Sequence, residues 1–102
     1  MQPFLYQGTV DAQPTAYEEV TVAAAAVGLA ALPAANHLYT VVHFSGAAMR
    51  FTLDGTTPTP TVGHEAFDGD EHGFNRFEAS TFRAIRSTTL NGTLRATHYT
   101  IR

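Results

Sequence analysis

Histidines and carboxylates crowd one stretch of this 102-residue chain, His64-Glu65-Ala66-Phe67-Asp68-Gly69-Asp70-Glu71-His72-Gly73. These are the oxygen and imidazole groups a divalent cation would use. Counted from Asp68, acids stand at positions one and three and glycine at six, as in a calcium-binding loop. Position five is His72, however, and position twelve is Ala79, where that loop needs a bidentate Glu. The match is broken, and the stretch reads as a solvated acidic surface with no metal. Hydrolytic chemistry fares no better. Ser45, Ser80 and Ser87 lack the nucleophile-elbow pattern. Paired carboxylates for glycoside cleavage could come only from the acidic stretch, a poor place for work that needs a fixed separation. His98 shares a face with Leu94 and Ala96 on the final strand, and a lone His there reads as a packed or surface residue rather than a ligand. No catalytic residue or cofactor is assigned, and the chain is read as non-enzymatic.

Arg83, Arg86 and Arg95 gather near the C-terminus. They read either as cross-strand partners of carboxylates or as anchors for the carboxylates of a partner. With the aromatic pair Phe4 and Tyr6 near the N-terminus they make up the candidate interface.

One small domain, residues 1–102, has to position these groups. A chain this long buries roughly 65% of its unfolded surface, enough for a single core. Charged residues make up 15% of the chain, below the usual quarter or so. The net charge is −3, every cation is Arg, and no basic stripe exists, so nucleic acid is not an expected partner. No Cys is present, which removes disulfides and thiolate chemistry. The apolar run from Val20 to Pro33 is broken by Thr21 and Gly28, so no membrane span is expected, nor is a signal peptide.

The most strongly specified local structure is Met49-Arg50-Phe51-Thr52-Leu53-Asp54-Gly55-Thr56-Thr57-Pro58-Thr59. Met49, Phe51 and Leu53 alternate with polar residues, the period of a half-buried strand. Asp54-Gly55 then predicts a tight turn, and Pro58 an extended exit. Upstream, residues 1–16 are read as a possible arm containing a connection at Asp11–Ala16. Tyr17–Val22 is a strand with Val20 and Val22 on one face. Ala23–Leu32 is taken as extended despite its alanines. In Leu38–Phe44, Leu38, Thr40, Val42 and Phe44 share a face. Ser45–Ala48 predicts a hairpin into the Met49 strand. Residues 59–76 are expected to form a long acidic loop, closed over the core by Phe74, Phe77 and Phe82. Asn91-Gly92 predicts a two-residue hairpin between Phe82–Arg86 and Thr93–Ile101. The fold class is therefore all-β, a single small immunoglobulin-like antiparallel β-sandwich.

Two resemblances meet here. Arg50-Phe51-Thr52-Leu53-Asp54-Gly55-Thr56-Thr57-Pro58-Thr59 resembles the turn motif of immunoglobulin-like C-terminal domains in chitobiase-type enzymes, where it is structural. A longer one runs from Tyr17-Glu18-Glu19-Val20-Thr21-Val22 and Ala26-Val27-Gly28-Leu29 through the Met49 stretch and Val62-Gly63-His64. It continues to Phe82-Arg83-Ala84-Ile85-Arg86 and Gly92-Thr93-Leu94-Arg95-Ala96-Thr97-His98-Tyr99. This order is similar to that of small virion proteins of tailed bacteriophages. The resemblance implies a virion protein that cements or decorates a capsid, or sits at the neck or tail. It also implies homo-oligomers and major capsid or other virion proteins as partners. The first resemblance keeps open a carbohydrate-binding module that contacts a surface glycan.

Overall fold

Side-chain alternation sorts the strands into two facing layers. The computed structural model describes residues 11–101; Phe4 and Tyr6 of the expected interface lie outside them. Along the chain come β1 (Ala12–Val22), β2 (His37–Gly46), β3 (Met49–Thr52), β4 (His64–Ala66) and β5 (Glu71–Asn75). Then follow α1 (Arg76–Thr81), β6 (Arg83–Arg86) and β7 (Gly92–Ile101). One antiparallel sheet has the order β1-β7-β2-β5 and the other β4-β3-β6. The all-β antiparallel sandwich expected from the sequence is the architecture found. Within it, the strand order differs from the ABED/CFG order of immunoglobulin domains.

The inner faces supply the core. Val22, Val42, Phe44, Leu94 and Ala96 come from the first sheet, and Met49, Phe51, Ala66 and Ala84 from the second. Phe44, Phe51, Phe74 and Phe82 form an aromatic cluster with centroids between 5.5 and 6.3 Å apart. Stacked and tilted ring pairs at this spacing add about 0.5–1.5 kcal/mol each beyond their burial.

Several expectations are corrected. The Ser45–Ala48 connection makes no hairpin, because β2 and β3 lie in different sheets. The same holds at Asn91-Gly92, where β6 leaves one sheet and β7 enters the other. Neither residue takes a positive φ, as the hairpin turn would require. Gly92 instead makes room: a Cβ there would sit 2.7 Å from Met49 Cε and 3.0 Å from the Ala47 carbonyl oxygen. Residues 59–76 are not one loop but carry β4 and β5. Asp68 and Asp70 shape the corner between these strands, Asp68 Oδ1 accepting from Gly46 N and Asp70 Oδ2 from Phe67 N. Phe74 and Phe82 join the core, whereas Phe77 is 68% exposed. The proposed connection at residues 11–16 is mostly strand. It belongs to an edge strand, where Pro14 and a register shift before Ala16 are tolerated.

Ala23–Leu32 is neither helix nor regular strand. It runs along β6, with reciprocal hydrogen bonds between Val27 and Ala84 of 2.8 and 2.9 Å. Leu29 and Leu32 then pack against the core. The turn after β3 has Gly55 at φ +88°, and Asp54 Oδ1 accepts from Thr56 N at 3.0 Å. That bond holds the Asp54 carboxyl below its usual range. Pro58 is buried.

Candidate functional site

Three polar side chains stand on apolar strand faces and meet across the first sheet. Glu18 is in phase with Val20 and Val22 on β1, Thr40 with Val42 and Phe44 on β2, and His98 with Leu94 and Ala96 on β7. Strand order places β7 between the other two. Thr40 is directly opposite His98, and Glu18 is opposite Ala96, two residues from His98 and within diagonal reach. A register shift between His37 and Tyr39 turns His37 to the same side as Thr40.

The result is a continuous row. His37 Nε2 lies 2.8 Å from Thr40 Oγ1, Thr40 Oγ1 lies 2.7 Å from His98 Nδ1, and His98 Nε2 lies 2.7 Å from Glu18 Oε2. Thr40 and His98 are fully buried. Glu18 is completed by two backbone amides, Ala30 N to Oε1 at 2.8 Å and Ala31 N to Oε2 at 2.9 Å. The carboxylate thereby pins the 23–36 segment to β1.

Proton positions follow from this inventory. Burial raises the Glu18 pKa, but the Ala30 amide, His98 and the Ala31 amide outweigh it and hold the carboxyl below its ordinary value. An ionised Oε2 only accepts, so His98 Nε2 donates. Thr40 has one hydroxyl proton, so it donates to one imidazole and accepts from the other.

His37 ends the row at the floor of a cleft of about 310 Å³, between residues 32–37 and α1. Its pKa is lowered, first by burial, then by the charges of His98 and Arg76, against a Tyr39 backbone hydrogen bond that favours the cation. A capping box at the start of α1, Asn75 with Glu78, fixes the cleft's other wall. A hollow of about 470 Å³ lies beside Asp54, Thr56 and His64. Two of its polar side chains are committed locally, since Thr52 Oγ1 donates to the Thr56 carbonyl and Asp54 accepts from Thr56.

No family model matches the chain, and comparison with the curated proteins and the solved structures gave no match.

The expected interface arginines are not brought together. Arg83 and Arg86 lie on β6 and Arg95 on β7, in opposite sheets. Arg95 pairs with Glu19 directly across the β1–β7 ladder at 2.8 Å. Arg86 donates to Asn91 Oδ1 at 2.7 Å. Arg83 is exposed, with no ion pair among the described residues. Among the described residues no group of three or more metal-ligating side chains converges. Sequence reasoning gave the row no role, although its signal is present. Glu18, Thr40 and His98 each break an otherwise apolar face, and buried polar groups are ordinarily satisfied by one another.

Proposed function

We propose that the protein is a non-enzymatic structural component of a bacteriophage virion, most simply a capsid cement or decoration protein. The observation that carries its non-enzymatic half is the complete burial of Thr40. Glu18, His98 and Thr40 follow the order of a hydrolytic triad, yet a nucleophile at 0% exposure has no path to a substrate carbonyl. The row stiffens the sandwich instead. The assignment to a virion rests on the resemblance quoted above. Exposed apolar side chains on separate elements support it: Tyr17 on β1, Phe67 at the β4–β5 corner, Phe77 on α1 and Leu90 before β7. A rigid body with contacts on several sides can bridge neighbouring subunits, and such multivalent attachment stabilises a closed shell.

Peptide mass spectrometry of purified phage particles tests this reading, following the tryptic peptides Phe77–Arg83 and Ser87–Arg95. Hundreds of copies per particle support cement or decoration. A few to a few dozen place the protein at the neck or tail. Absence from particles encoded by the same gene set rejects the virion reading and favours the glycan-binding module.

A further inference from the structure

Arg76 stands at the cleft that His37 floors, and it has no carboxylate within 4.0 Å among the described residues. Its guanidinium lies over the Phe77 ring, 4.8 Å from the centroid. Stacking of this kind restrains the guanidinium plane while leaving its N–H fork available to an anion. The rest of the lining is largely apolar, including Leu32, Pro33 and Phe77. The cleft therefore combines an unpaired cation, a nearly buried imidazole and an apolar wall. At about 310 Å³ it is at the small end of ligand sites.

We propose that this cleft binds a small organic carboxylate, gripped by Arg76 beside His37, with its apolar body against Leu32, Pro33 and Phe77. Arg supplies the geometry for bidentate carboxylate recognition. His37 lies beside the bound anion and takes up a proton as it arrives. The groups that act on this proton are Arg76 on α1, His98 on β7 and Tyr39 on its own strand. Glu18 on β1 acts through the row. An anion in the cleft offsets the repulsion between His37 and Arg76, so binding strengthens as pH falls.

The test uses benzoate as probe and benzamide as its neutral counterpart, titrated into the ¹⁵N-labelled full chain at pH 7.5 and 5.5. The expected result is saturable shifts confined to residues 32–37 and 76–80 with benzoate and not with benzamide. Affinity should be several-fold tighter at pH 5.5 and at least about tenfold weaker in Arg76→Gln. Arg76 is exposed, so this variant retains the fold, and its unchanged amide spectrum away from the cleft verifies that. Equal binding of the two probes, unchanged affinity in Arg76→Gln, or affinity independent of pH overturns the proposal.

Discussion

Thr40 is the residue on which the interior depends. One hydroxyl serves two imidazoles, 2.8 and 2.7 Å away, in a place water does not reach. Thr40→Val keeps the shape and leaves both ring nitrogens without partners, at a cost of about 1–3 kcal/mol. Thr40→Ser keeps the hydroxyl and is expected to lose clearly less; urea denaturation of the two variants compares them. The titration of the row adds a pH dependence with a definite sign. The His37 pKa is lower folded than unfolded, so the folded state favours the neutral ring. Its contribution is full above about pH 6.5 and is lost as pH falls from there toward the folded value. The Glu18 pKa is also lowered, so its contribution is present above its ordinary value near 4.5 and is lost as pH falls through the folded value. Acid should therefore destabilise the protein in two stages, His37 first. Melting temperatures between pH 7.5 and 3.5 report both, and His37→Gln should flatten the upper stage.

At the scale of elements, Gly92 shows why a strong turn signal misled. Asn91-Gly92 has the composition of a hairpin, but the space at Gly92 is taken by Met49. Gly92→Ala forces Met49 or the Ala47 backbone to move and is expected to cost about 1–3 kcal/mol. Gly55→Ala, where nothing lies within 4 Å, bears only the strain of its positive φ. Thermal melts of both variants separate crowding from backbone strain. Strand periodicity at Val20 and Val22, Thr40–Phe44 and Met49–Leu53 was readable, because it depends only on neighbours in sequence; the expected place of Leu38 on the Thr40 face was not met, since the register shift falls there. Sheet membership was not. Whether consecutive strands pair or cross between layers depends on contacts far apart in the chain, and β2–β3, β4–β5 and β6–β7 all cross. The polar row shared this fate. Its three phases were visible separately, but only the β1-β7-β2 order and the shift at His37 join them.

For the whole molecule, that crossing pattern implies cooperativity. Neither sheet is formed by a continuous piece of chain, so neither folds alone. Backbone circular dichroism and tyrosine fluorescence should report one coincident urea transition. Refolding should fall in the millisecond-to-second range of topologies dominated by distant pairings. Phe82 packs against Phe44, Phe51 and Phe74 between the layers. Phe82→Ala should cost about 3–5 kcal/mol, read as a lowered midpoint of that same transition.

Rigidity and acid sensitivity both rest on one row of hydrogen bonds that ends on the Glu18 carboxylate. Long-range ¹H–¹⁵N correlation of the imidazoles at neutral pH tests it. The expected spectrum shows His98 protonated at Nε2 and a Thr40 hydroxyl proton slow enough in exchange to be observed. A His98 Nε2 without a proton, or a Thr40 hydroxyl exchanging as fast as an exposed one, would contradict it.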